Sequence, residues 1–427
     1  MKIVKKLLWG GVGLATMLGG STATTVLAAA THNNAIFAKP SSAQATLTQR
    51  DIAATLTDYA RSNQFPNKLE FSPQKGSGSV VGRVRYTFDQ EVHDKMADVY
   101  LRYQPDYACF VAIDVDSGAI LNLTSFIKSD EDWDNLVMRS DYPAAAVFKM
   151  VTAAAGLDSG KLLPSTIIPF NGKSTTLYKN QVLGHRTTKW TRNPTLKESF
   201  AKSMNPVFAQ IGVFQLGAER LLDYARRFGF DRRLDSDFML PLSHVGLDFD
   251  TRWEIAEAAS GYTRDITLSP IHAAQMAAIV ANDGRMVTPY MVESVVGMRG
   301  ELLYEATADK KVEKVISVSA ARQMRGLMRE TTRIGSARRS FSGLHRYKVY
   351  KNMEIGGKTG SLTGLSPKGR HDWFVGYAEK EGRRVAYASL IINKEKWYVR
   401  SAYVARQFIY HYFSQPETPL EVAKSQW

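Results

Sequence analysis

An antiparallel sheet flanked by helices, with a helical subdomain set into it, is the α+β fold that this sequence predicts. Three observations lead there. Strand-like hairpins fall at two distant places, near residues 107–124 and 372–393; a long, mostly helical stretch separates them; and a helical segment follows the second. Strands and helices are thus segregated, unlike the strict alternation that builds a parallel sheet. The 427 residues include 44% apolar and 22% charged side chains. That is ample material for a core, and it excludes disorder, collagen and a polytopic membrane protein.

Each element has its own justification. Residues 31–45 are small and polar and read as a tether. Gln49–Asn63 has helical spacing through Ile52, Ala53, Leu56, Tyr59 and Ala60. Pro73–Ser79 is a flexible break, so residues 31–79 form a tether with a short helix and the main domain is expected over 80–415, with a tail at 416–427. Val80–Phe88 alternates as a strand, and Asp89 offers a cap for a helix over Gln90–Arg102. Tyr107–Val115 and Ala119–Thr124, joined by Asp116-Ser117-Gly118, make a β-hairpin. Helices are expected over Phe148–Leu157, Thr195–Met204, Val207–Leu216, Ala218–Phe228, Pro270–Asn282 and Val318–Thr332. A loop rich in Gly, Ser and Arg precedes two strands, Asp372–Glu379 and Arg383–Asn393, and a helix over Ser401–Phe413.

Charge and targeting narrow the function. Lys and Arg number 55 against 41 acids, a formal net charge of +14. Three of those bases and no acid lie in the first thirty residues, so the rest carries 52 against 41, or +11. Lys2, Lys5 and Lys6 precede an uncharged run, Leu7 to Ala30, that ends in Ala28-Ala29-Ala30. This is the pattern of an export signal. The run is also long enough to span a bilayer with its cationic end in the cytoplasm, but its Gly, Thr and Ala content favours cleavage. Residues 1–30 are therefore expected to be a signal peptide or membrane anchor. The folded part is expected in the periplasm or on the outer face of the cytoplasmic membrane. No nucleic acid partner is expected there; the basic balance suits an anionic envelope or membrane surface, or simply a soluble basic surface. Cys109 is the only cysteine, and no two histidines lie within five residues of each other. A disulfide within the chain and a Cys-based metal site are excluded, and no metal or cofactor is expected.

Gly356-Gly357-Lys358-Thr359-Gly360-Ser361 invites a phosphate-loop reading, but Asn352 stands where that motif needs its first glycine, and strands follow where a helix is required. Lys-Thr-Gly has another use, on an edge strand beside a serine active site, with Ser-x-Asn and Ser-x-x-Lys as companions. Ser203-Met204-Asn205 is present just before Pro206. Three literal Ser-x-x-Lys strings fail on context: Ser72–Lys75 is in a loop, Ser125–Lys128 leaves a strand, and Ser199–Lys202 abuts Ser203. The chemistry needs its serine at a helix start with the lysine one turn on. Only Pro143 to Ala155 has that context, with Lys149 as the lysine and Ala146 at the serine position.

This segment resembles the active-site stretch of penicillin-binding protein transpeptidases, with alanine replacing the nucleophile. The resemblance runs from about Val80 to Phe413 and includes Tyr86-Thr87-Phe88-Asp89, the hairpin Val111 to Leu123, Thr267-Leu268-Ser269-Pro270 to Gly284, Gly335-Ser336-Ala337-Arg338 and Asp372-Trp373-Phe374-Val375-Gly376-Tyr377. No glycosyltransferase domain is expected upstream. The resemblance implies a D-Ala-D-Ala stem peptide of peptidoglycan as ligand, with β-lactams as its mimics. It implies that Lys149 is the base, its pKa lowered by burial and by Lys358, in contact with both Ala146 and Ser203. Ser203 would relay a proton, Asn205 would hold the substrate amide, and Lys358, Thr359, Gly360 and Ser361 would bind the substrate. Backbone N–H groups at 146 and 361 would form the oxyanion hole. Three readings follow: a member that binds stem peptides or a cell-wall synthase partner without acylation; an active transpeptidase carrying an engineered Ser→Ala change; or an exported basic scaffold without a working pocket.

Overall fold

The structure is a computed structural model that describes residues 47–74, 78–129, 134–184, 186–246, 248–306 and 312–415. The expected leader, tether and tail lie outside these residues, as does the middle of the 73–79 break.

In chain order the N-terminal elements are α1 (Gln49–Arg61), β1 (Lys68–Phe71), β2 (Val80–Tyr86), α2 (Gln90–Tyr103), β3 (Tyr107–Asp114) and β4 (Ile120–Ile127). The middle holds β5 (Tyr142–Pro143), α3 (Lys149–Asp158), α4 (Lys179–Val182), α5 (Leu196–Ala201), α6 (Asn205–Gln210), α7 (Gly217–Arg227), β6 (His244–Val245), α8 (Arg252–Ser260), β7 (Ile266–Leu268), α9 (Pro270–Ala281), β8 (Arg285–Met286), β9 (Val292–Gly297), β10 (Leu302–Glu305) and β11 (Glu313–Lys314). Then come α10 (Val318–Arg333), β12 (Glu354–Leu365), β13 (Lys368–Lys380), β14 (Arg383–Asn393) and α11 (Ser401–Ser414).

The main sheet has the order β12-β13-β14-β3-β4 and is antiparallel at every pairing. It joins the early hairpin to the late strands, as the α+β expectation required. Its strands are buried on both faces, and the side-chain alternation shows why. Along β3, Tyr107, Cys109, Val111 and Ile113 enter one core while Ala108, Phe110 and Ala112 enter another. Along β13, Trp373, Val375 and Tyr377 join the first, and Phe374 and Ala378 the second. The fully buried helix α9 lies against the first face; α2 and α11 cover the second. Burying a large apolar side chain in this way contributes about 1.5–3 kcal/mol.

The local signals hold where they were strongest. Asp89 caps α2, its carboxylate accepting from Val92 N at 3.0 Å. Ser269 caps α9, with Pro270 at the first helical position where a missing N–H costs nothing. Other expectations shift. The helix expected over Thr195–Met204 stops at Ala201, because Ser203 turns into the left-handed region (φ 56°) before Asn205 starts α6. The helix expected over Val207–Leu216 widens into a π-type turn at Ile211–Leu216. A strand that the sequence did not announce, β1, pairs with β2, which pairs in turn with β9 and so with β10. No helix among the described residues is long and apolar enough to cross a membrane.

Candidate active site

The site is built where the edge strand β12 meets the start of α3. Pro143 ends β5, and Ala145 takes a positive φ (50°), an uncommon conformation for a residue with a Cβ. A 3-10 turn over Ala145–Phe148 then leads directly into α3. From Tyr142 to Leu157 every residue is buried except Ala146, which alone reaches solvent. Two glycines permit this close assembly. A Cβ on Gly360 of β12 would sit 3.0 Å from the Val147 side chain, and one on Gly261 would sit 1.9 Å from the Ala145 carbonyl. Gly261 also has φ 65°, so it closes α8 and seats the loop under Ala146 in one residue.

Lys149 follows Ala146 by one turn and is fully buried. Its Nζ donates to Asn205 Oδ1 at 2.7 Å and to the Ser260 carbonyl at 2.6 Å. Burial, and then the nearby Lys358 charge, hold its pKa well below the usual lysine range. A neutral amine has two hydrogens and one lone pair. In that form both hydrogens would be engaged by Asn205 and Ser260, and the lone pair would be left to accept a proton.

Lys358 is also fully buried, and burial lowers its pKa to about 7. Its Nζ donates to Ser203 Oγ and to the Thr359 carbonyl, both at 2.8 Å. The hydrogen bonds of Lys149 go to Asn205 and Ser260, while Ser203 pairs with Lys358. The left-handed turn at Ser203 aims its hydroxyl toward β12, and Asn205, the first residue of the next helix, takes the place beside Lys149.

The other motif residues lie on the same wall. Thr359 and Ser361 are half-buried neighbours on one side of β12, and Thr359 Oγ1 is 2.5 Å from Ser336 Oγ. Ser361 Oγ accepts from Arg370 Nε at 2.7 Å. The structure thus brings Ala146, Lys149, Ser203, Asn205, Lys358, Thr359, Gly360 and Ser361 to one junction of sheet edge and helices. Sequence reasoning gave no role to Ser260, Gly261, Ser336 or Arg370. A main-chain acceptor such as Ser260 leaves no residue-type signal; Ser336 was visible only as part of Gly335-Ser336-Ala337-Arg338. The loop before Tyr178 also touches the site, since Asn205 Nδ2 donates to the Thr175 carbonyl at 2.8 Å. Among the described residues no cluster of His, Cys, Asp and Glu is suited to a metal ion.

The peptidoglycan D,D-transpeptidase PbpA of Mycobacterium tuberculosis is 27% identical over 330 residues, 68% of this chain and 63% of that protein. Stage V sporulation protein D of Bacillus subtilis is 25% identical over 331 residues, 71% of this chain and 47% of that protein. The chain therefore spans less than two thirds of the length of these relatives. Among solved structures, the penicillin G acyl-enzyme complex of penicillin-binding protein A from M. tuberculosis superposes with a TM-score of 0.61 at 23% identity, covering 78% of this chain and 80% of that one. The D,D-transpeptidase domain of a peptidoglycan glycosyltransferase from Eggerthella lenta gives 0.63 at 23% identity, covering 78% and 83%. The family described as the penicillin binding protein transpeptidase domain matches residues 108–410, a span that takes in the main sheet, α3 and β12, and the chain belongs to that family.

Proposed function

We propose that this protein binds peptidoglycan stem peptides ending in D-Ala-D-Ala, or the β-lactams that mimic them, in the manner of a D,D-transpeptidase but without forming an acyl-enzyme. One observation carries the reading: the single residue that surfaces from the buried run Tyr142–Leu157, one turn before the fully buried Lys149, is an alanine. In this reading Ala146 occupies the nucleophile position. The cationic fraction of Lys358, with the hydroxyls of Thr359 and Ser361, holds the ligand carboxylate through charge-assisted bonds. Asn205 steadies the ligand amide, and the backbone N–H groups of 146 and 361 face the carbonyl oxygen. With a serine at 146, its hydroxyl proton would pass to the Lys149 lone pair as oxygen attacks the carbonyl, and Ser203 would return a proton to the leaving nitrogen. An alanine has no such oxygen, and removing a nucleophile costs around 10⁶-fold in turnover.

The cationic start and apolar run of residues 2–30 support export as part of this reading; recovery of intact Met1 on cytoplasmic protein would remove that part. The main test is intact-mass spectrometry with benzylpenicillin. The unmodified chain gains no mass. Ala146→Ser, which adds one oxygen at a half-open position and overpacks nothing, gains the mass of the drug. An adduct on the unmodified chain would show that another group is the nucleophile. No adduct on either form would leave the scaffold reading in its place.

A further inference from the structure

We propose that Arg264 and Arg370 form a second anion subsite, which takes a carboxylate carried on the acyl arm of the ligand. It rests on the binding role just proposed and names the substrate class: stem peptides or β-lactams with an acid group beyond the terminal carboxylate.

The two arginines approach the same half of β12 from opposite walls. Arg370 lies on β13, directly across from Thr363, and its Nε donates to Ser361 Oγ. Arg264 lies in the loop between Gly261 and β7, the loop that begins with the Ser260 carbonyl bound to Lys149. Its Nε donates to the Thr363 carbonyl at 2.8 Å. Strand β12 is the outer strand of the sheet, so this carbonyl faces the open edge. Both side chains are exposed, yet each is fixed at Nε, so neither guanidinium is a freely sweeping surface charge.

What each arginine keeps is the end of its fork. A guanidinium has five N–H donors, four of them on the two terminal nitrogens. No hydrogen bond or ion pair engages those four on Arg264 or Arg370 within the described residues. Several other arginines of the fold are neutralised: Arg139 by Asp141, Arg325 by Glu354 and Glu379, Arg232 by Glu313, Arg384 by Asp116. The acids around the two free forks are occupied elsewhere. Asp372 accepts from the Ser401 backbone and hydroxyl and faces Arg400, and the Arg370 charge reaches it only without a hydrogen bond or ion pair; Asp265 accepts from the Thr263 hydroxyl; Asp141 holds Arg139.

The direction of the ligand follows from the order of groups on the strand. With the terminal carboxylate at Lys358 and Thr359 and the reacting carbonyl at the amides of 146 and 361, the acyl arm continues toward Thr363. Two residues of strand advance about 7 Å, and the two forks stand at that end. A planar carboxylate there meets planar, paired donors, the geometry that arginine recognises best.

Benzylpenicillin and carbenicillin test this with one scaffold, because carbenicillin adds a single carboxylate to the same arylacetyl arm. Reversible affinities of both for the full chain are measured by calorimetry at low salt. Carbenicillin should bind about tenfold tighter, as one charge-assisted interaction warrants. The ratio should shrink at high salt and fall to about one in the double variant Arg264→Gln, Arg370→Gln. The readout is the ratio between two ligands on the same protein, so a general loss of fold or pocket cannot imitate it. Equal affinities in the unmodified chain, or a preference that survives the double variant, would overturn the subsite and leave the arginines as covers for a strand edge. If neither drug binds, the ligand-binding reading fails and the subsite with it.

Discussion

Two walls meet at this site, and they differ in kind. The β12 wall is polar and redundant: Lys358 leans on Ser203, Thr359 on Ser336 and Ser361 on Arg370. The opposite wall, from Tyr142 to Leu157, is a sealed, mostly apolar run that holds Lys149 and opens at one residue, Ala146. Gripping a ligand draws on many donors, whereas making a covalent bond to it depends on one oxygen. The two tasks sit on separate elements, so losing the second leaves the packing of the first untouched. Alanine at 146 is thus compatible with a site whose other groups are still in register.

Once Ala146→Ser has supplied the oxygen, the largest further effect should come from its neighbour. Lys149→Met in the Ala146→Ser background removes the amine one turn from the new hydroxyl and should slow acylation by benzylpenicillin by about 10²–10⁴-fold. An unchanged rate would mean that bond making does not depend on that wall's lysine, and the contrast between the walls would collapse.

A second effect separates the walls by pH. The Lys358 pKa of about 7, against an ordinary 10.5, means that the folded chain holds fewer protons than the unfolded one between those values. Stability from this group therefore rises as pH climbs from about 7 to about 10.5, and below pH 7 the full cost of burying the charge is felt. Affinity should move the opposite way. A ligand carboxylate prefers the cation, so reversible binding of benzylpenicillin should weaken above pH 7, by up to tenfold per pH unit. Lys358→Gln should flatten that dependence. Calorimetry across pH 6–9 reads it, and a flat profile in the unmodified chain would show that Lys358 is not the carboxylate grip.

The smallest effect should come from Ser336→Ala. It deletes the neutral hydrogen bond to Thr359 and a long one to the Ala201 carbonyl at an exposed position, so affinity should drop about fivefold while thermal stability falls by no more than about 1 kcal/mol. A loss as large as that of Thr359→Ala would make Ser336 a direct ligand contact instead of a support for Thr359.

The periodic parts of this fold were readable before the structure. The hairpin expected over 107–124, the cap at Asp89 and the closing helix each have a local cause, so a single stretch of chain announces them. What stayed hidden depends on distant partners. The short β1 is a strand because β2 pairs with it, and that sheet is completed by residues more than two hundred positions away. Strand β12 holds four glycines in twelve residues, a composition that local propensity scores as loop. It is a strand because β13 pairs along its whole length. At the site, the residues named from motif spacing lie at one junction of sheet edge and helices. The choice of which lysine meets Ser203 turned on one backbone angle, φ 56° at Ser203, that no residue type encodes.

The order β12-β13-β14-β3-β4 has a consequence for how the chain assembles. Strand β3 ends at Asp114, and its partner β14 begins only at Arg383. During synthesis the early hairpin must wait for more than 250 residues with one buried-type edge open, and that central pairing is among the most non-local contacts in the protein. Such closure is slow, and an open apolar edge invites pairing with other chains. The wait ends only when the last strands emerge, and β12, carrying half of the cleft, arrives with them. No intermediate on this route has a finished ligand site. Loss of the C-terminal strands should therefore give aggregation in place of a smaller working protein, and a ligand for the cleft should act late, as a brake on unfolding and not as a template for folding.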